Sequence, residues 1–202
     1  MGGTDAEVVD VVFAVAGESL PADHAHALLR ETVRCLPWFE SDPWAGIHPL
    51  RTAPTTYGVA LLARRAKLVL RLTRGRLADA RALEGLTLDI AGNLLQVGAG
   101  TERPLRPFAT LHALRVVTGA RDEKDFHGDV VARLETLGID CDFISGRRQA
   151  LRRGDQEMVG FSLALHGLNP DDSLRVQREG VGDERRLGCG IFIPHKSIVV
   201  PD

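Results

Sequence analysis

Apolar and polar positions alternate along the chain in two rhythms, and the order in which those rhythms occur is written twice. Val8 to Val15 is a continuous apolar run of strand length, rich in valine, and predicts a buried strand. In the following "ESLPADHAHALLRETVRCLPW", Ala25, Leu28, Leu29, Thr32, Val33 and Leu36 recur at spacings of three and four, the mark of an amphipathic helix. Pro21 suits the first helical position, Asp23 suits the positive end of the helix dipole, and Pro37 ends the run. Strands are predicted next over Tyr57 to Leu62 and Lys67 to Thr73. In the second, Leu68, Leu70 and Leu72 share one face, and Lys67, Val69, Arg71 and Thr73 the other. A short helix over Leu77 to Leu83 and strands over Leu86 to Ile90 and Leu94 to Val97 close the first half.

The segment "GAGTERPLRPF", with glycines early and prolines late, reads as a linker. The rhythm then restarts: a strand over Leu111 to Thr118, a helix over Glu123 to Leu137 ending at Gly138, and strands over Cys141 to Ile144 and Met158 to Leu165. A helix over Pro170 to Glu179, capped by Gly180, and a strand over Gly190 to Pro194 complete it. Strand, helix, two strands, helix, strand, written twice, predicts an α+β chain of tandem ferredoxin-like (RRM-like) units. The expected domains are residues 1–100 and 105–202, the second carrying a glycine-rich loop. Each unit should have helices on one sheet face and leave the other open. In the Met158 strand that places Val159, Phe161, Leu163 and Leu165 inward and Gly160, Ser162, Ala164 and His166 outward.

Composition narrows this picture. The 202 residues are 44% hydrophobic, with a formal charge of -2, and suit one sizeable core or two small ones. No apolar run is long enough to span a bilayer and no basic-then-apolar leader opens the chain, so a cytoplasmic, non-membrane protein is expected. Cys35, Cys141 and Cys189 are odd in number and far apart, which suggests neither a disulfide framework nor a zinc site. No metal or cofactor is expected. The near-neutral charge argues against a nucleic-acid partner, but its distribution does not. Arg64, Arg65, Lys67, Arg71, Arg74 and Arg76 follow one another without an acid, and Arg147, Arg148, Arg152 and Arg153 form a second cluster in "GRRQALRRGD". Charge runs of this kind also occur as plain solvated faces.

The run "GESLPADHAHALLRETVRCLPWFESDPWAGIHPLR", the "RRAKLVLRLT" strand, "MVGFSLALHGLNPDDSLRVQREGVG" and the closing "RRLGCGIFIP" together resemble the CRISPR-associated Cas-six endoribonucleases, in the form called the Myxan subtype of the RAMP superfamily. The four motifs follow in order over nearly the whole chain. The resemblance implies binding of the repeat of a precursor CRISPR RNA and one cut per repeat without a metal. The ribose 2′-hydroxyl attacks its own phosphate, leaving a 2′,3′-cyclic phosphate and a 5′-hydroxyl. Histidine suits the proton transfer because its ordinary pKa of about 6.5 lets it serve near neutral pH.

In that family the catalytic histidine usually lies on the first helix or in the loop after it, which leaves His24, His26 and His48 here; relatives often carry tyrosine at the place of His26, so the resemblance points to His24 or His48. Arg51, Arg65, Lys67 and Arg71 are expected to meet phosphates from an exposed strand and its surroundings, and Arg147, Arg148, Arg152 and Arg153 to grip an RNA stem. In the closing loop, Arg185 and Arg186 would add charge, while Gly188 and Gly190 would let backbone N–H groups approach phosphates. His112, His127, His166 and His195 read as structural or solvent residues, although His166 could meet RNA across the open face. Tyr57 could orient a base. The expected partners are the repeat RNA and subunits of a CRISPR effector complex. The alternative is a non-catalytic RNA-binding RAMP subunit of such a complex.

Overall fold

The computed structural model describes residues 7–54 and 58–195. Tyr57 lies outside them. The chain forms two compact units. The first comprises residues up to Leu105 with Arg152–Asp155 and Arg186–Gly188; the second comprises Arg106–Leu151, Gln156–Arg185 and the residues from Cys189.

The first unit contains β1 (Val8–Ala16), β2 (Ser19–Pro21), α1 (Ala25–Cys35), β3 (Gly46–Ile47), β4 (Thr52–Pro54), β5 (Val59–Leu62), β6 (Lys67–Thr73), α2 (Leu77–Ala80), β7 (Thr87–Ile90) and β8 (Asn93–Pro104). Its main sheet runs β3-β6-β1-β8-β7, and β2-β5-β4 form a small second sheet. Read as β3-β6-β1-β8, the main sheet has the order of a ferredoxin-like unit, with β7 added at the edge. Val9, Val11 and Phe13 of β1 bury themselves against Leu28 and Leu36, so the intervening Asp10 points away from the helix.

The helix starts later than the proline pattern predicts. Pro21 belongs to β2 and pairs with Val59, and the Ala22 amide donates to Gly58 O at 2.8 Å. These ladder bonds hold the chain extended until His24, the N-cap residue of α1. The expected linker is likewise a strand in its first half. Residues 98–104 belong to β8, where Phe13 pairs with Gly100 and Asp10 with Arg103. A Cβ at Gly100 would stand 2.6 Å from the Phe13 ring, so the glycine marks close packing and not a turn.

The second unit contains β9 (Leu111–Val116), α3 (Glu123–Leu137), β10 (Asp142–Arg153), β11 (Gln156–His166), α4 (Pro170–Glu179) and β12 (Ile193–Pro194). Its strand order, β10-β11-β9-β12, is again ferredoxin-like. Both helices end at the glycines expected of them, and each has a side-chain N-cap as well. Asp122 accepts from the Asp125 amide and Asn169 from the Asp172 amide, while Gly138 closes α3 in the left-handed conformation at φ 63°. Phe126, Val130 and Leu134 of α3 pack on Phe161, Leu163 and Leu165 of β11. The basic "GRRQALRRGD" segment is not a loose turn: it extends β10 to twelve residues and reverses at Gly154.

Candidate functional site

Within the first unit, His24, Ile47, His48, Pro49, Arg186 and Gly188 line one small cleft of about 20 Å³, room for about a single water. His24 enters it from the N-cap of α1. Its Nδ1 lies 2.9 Å from the Pro21 carbonyl oxygen, which can only accept, so Nδ1 carries the proton and donates. The basic lone pair of the neutral ring is then on Nε2. Arg186 is held by two backbone carbonyls, Nε donating to Phe39 O at 3.1 Å and Nη2 to Asp42 O at 2.9 Å. Gly188 has φ +83°, and a Cβ there would meet Ile47 O and Pro49 Cγ at 3.2 Å each, so only glycine lets the loop lie this close to the His48 segment.

The other histidine, His48, is buried, and its amide donates to Val69 O at 2.9 Å. Its Nε2–H donates to Asp10 Oδ1 at 3.1 Å. The same carboxylate accepts from Arg71 Nε at 2.8 Å and Nη2 at 3.2 Å, and from Arg103 Nη2 at 2.9 Å. Burial works against the charge on Asp10, but His48 and Arg71 outweigh it and hold the carboxyl well below the usual range. Burial, helped by Arg71 and Arg103 against the pull of Asp10, pushes His48 down to about 4. His48 is therefore neutral at physiological pH, and its Nε2 is occupied as a donor. Expected as an alternative catalytic base, it is instead engaged in a buried charge network that braces one wall of the cleft.

Arg71 is corrected in the same way. The strand alternation placed it on an exposed face, but it is 1% exposed and its guanidinium is committed to Asp10. Arg51, Arg65 and Lys67 are exposed. Arg185 and Arg186 do not act as a pair: Arg185 Nη2 donates to Gln177 O at 3.3 Å within the second unit, while Arg186 belongs to the first. Gly190 is buried and its amide donates to Arg115 O at 2.8 Å, so that N–H is not offered to a phosphate. A Cβ on Gly190 would stand 2.4 Å from Val181 O; the close approach that this glycine permits is to the protein's own backbone. Arg147, Arg148, Arg152 and Arg153 are exposed along β10, with Arg152 and Arg153 grouped in the first unit and the other two in the second. Arg148 Nε donates to Arg121 O at 3.3 Å.

Two residues of the network, Asp10 and Arg103, escaped the pattern. A lone acid inside "VVDVV" was the available signal, because a carboxylate in a buried strand requires paired cations.

The Cas6 family model, described as Cas6 Crispr, matches residues 9–197. This chain belongs to the Cas6 family. It is 37% identical over 188 residues, 92% of its own length and 81% of the relative's, to the CRISPR-associated endonuclease Cas6 of Myxococcus xanthus strain DK1622. It is thus an endonuclease of the Cas6 type. The Cas6 fold extends to distant structures: a CRISPR-associated protein Cas6 with TM-score 0.66 at 11% identity (94% of this chain, 100% of that one) and the CRISPR endoribonuclease Cse3 bound to a 19-nucleotide RNA with TM-score 0.54 at 15% identity (93% and 98%). Among the described residues of this Cas6 chain, no helix is long and apolar enough to cross a membrane.

Proposed function

We propose that the chain binds the repeat of a precursor CRISPR RNA and cuts it by attack of a ribose 2′-hydroxyl on the adjacent phosphorus, with His24 as the general base. His24 Nε2 removes the hydroxyl proton, the 2′ oxygen bonds to phosphorus, and the 5′ oxygen leaves and takes up a proton. The products are a 2′,3′-cyclic phosphate and a 5′-hydroxyl. Arg186, lining the same cleft, adds positive charge where negative charge develops.

The observation that carries the assignment is the Nδ1 bond of His24 to Pro21 O, which makes Nε2 the basic nitrogen, set against His48, whose Nε2 is already donating to Asp10. General base catalysis is worth about 10²–10⁴-fold, and His24→Ala should lose that much single-turnover rate with RNA affinity nearly intact. The decisive assay is cleavage of the cognate repeat in excess chelator, beside a copy with a 2′-deoxy sugar at the cut position. Cutting of the deoxy substrate would overturn the 2′-hydroxyl route. Tight binding with no cutting of either would favour a non-catalytic RNA-binding RAMP subunit. If His48→Gln, and not His24→Ala, abolishes the rate in protein that stays folded, the base is His48.

A further inference from the structure

The second unit's sheet, on the side away from α3 and α4, carries an imidazole cluster that the cleavage reading does not use. His112 of β9 is directly opposite Ala164 of β11 on one side and Ile193 of β12 on the other. Thr110 precedes β9, its hydroxyl is 3.5 Å from His166 Nδ1, and its carbonyl accepts from the His195 amide at 3.2 Å. His166 and His195 therefore flank Thr110, and the His112 and His195 rings are tilted against each other with centroids 5.5 Å apart. Leu114 and Ile193 on this side are 47% and 42% exposed and stand beside the imidazoles.

We propose that this face is a stacking platform for unpaired bases of single-stranded RNA, with His112 and His195 as the stacking rings and Leu114 and Ile193 as the apolar bed. Three aspects of the site's chemistry select that occupant. By strand alternation the residues of β9, β11 and β12 on this side include no acid, since the exposed Glu157 of β11 shares the side of Val159 and Phe161, so no carboxylate of these three strands is set among the rings. Burial and the neighbouring His195 push His112 below its ordinary value, which favours the neutral ring and stacking on a base over pairing with a phosphate. The exposed aliphatic area gains by covering bases, whose faces are apolar, and gains nothing from phosphates. The inference rests on the RNA reading above but concerns a different part of the RNA from the cut.

The test is direct binding of a fluorescein-labelled eight-nucleotide oligouridine at neutral pH, together with single-turnover cleavage of the cognate repeat at saturating protein. His112→Ala with His195→Ala should weaken oligouridine binding at least about tenfold, within the range for loss of one stacked base, and leave the cleavage rate within about twofold. His112→Phe keeps a ring and should keep the affinity, separating stacking from charge. Unchanged oligouridine affinity in the double alanine variant, with cleavage intact, would overturn the platform while leaving the nuclease reading standing. Loss in the phenylalanine variant equal to that in alanine would overturn the stacking mode. Failure of the wild-type chain to bind or cut its repeat would instead sink the RNA reading itself.

Discussion

On the central strand of the first unit's sheet the side chain pointing away from the helix is Asp10; at the matching place in the second unit's sheet it is His112. The strand orders are the same, yet the two faces have opposite characters. Around Asp10 the structure gathers Arg71, Arg103 and His48, and Asp10, Arg71 and His48 are all buried. Around His112 it leaves aliphatic side chains and imidazoles in contact with solvent. A buried carboxylate must be compensated by fixed donors, and here two of them, Arg71 and His48, are enclosed with it. A neutral imidazole on an open sheet needs no such company. The comparison teaches that topology alone does not set the character of a sheet face, because one unit answers the charge on its central strand internally while the other carries uncharged side chains there.

The largest effect expected is from Asp10→Ala. Removing the one carboxylate leaves the buried Arg71 uncompensated, and a broken buried pair of this type costs about 3–5 kcal/mol. Urea denaturation reads it directly; a cost below 1 kcal/mol would show that the network is not the bracing described here. His112→Ala at the matching position should change stability by no more than about 1 kcal/mol, since it empties a part-exposed site.

Next in size is a pH dependence specific to the first unit. With the folded His48 at about 4 against an ordinary 6.5, the unfolded chain binds more protons between those values. Stability is then complete above about pH 6.5 and falls as the pH drops towards 4, by about 3 kcal/mol at its limit. Asp10, whose folded pKa is also depressed, adds a further loss in the same direction at lower pH. Denaturation midpoints at pH 7 and pH 4.5 measure the drop, and His48→Gln should shrink it. An equal slope in that variant would assign the pH dependence elsewhere.

The smallest effect separates the two arginines on Asp10. Arg71 is enclosed, but the Arg103 side chain is 54% exposed and its pairing is screened by water. Arg103→Ala should cost under about 1 kcal/mol where Arg71→Ala costs several. Comparable costs would mean that Arg103 is as deeply committed as Arg71.

Much of this was legible in the chain. The valine run, the three-and-four spacing of α1 and the terminating Gly138 and Gly180 locate elements through local chemistry, and Lys67–Thr73, Glu123–Leu137 and Pro170–Glu179 fall where the pattern puts them. The misreadings share a cause. Gly98 and Gly100 look like linker glycines until Ala14 and Phe13 are seen against them, Pro21 looks like a helix start until β5 pairs with it, and Arg71 looks solvated until Asp10 is found across the strand pair. Each depends on a partner distant in sequence.

The sequence by itself determined the order of elements, the doubled ferredoxin-like plan and the short set of histidines able to move a proton, because periodicity, capping and residue chemistry are local properties. The tertiary structure decided which of those side chains are committed and which are offered. It turned His48 and Arg71 inward around Asp10 and set His24 beside Arg186 and Gly188. It also brought His112 and His195 to one face. The physical reason is that burial and pairing are set by neighbours arriving from elsewhere in the chain, and a charged group's role follows from whether its charge has already been answered.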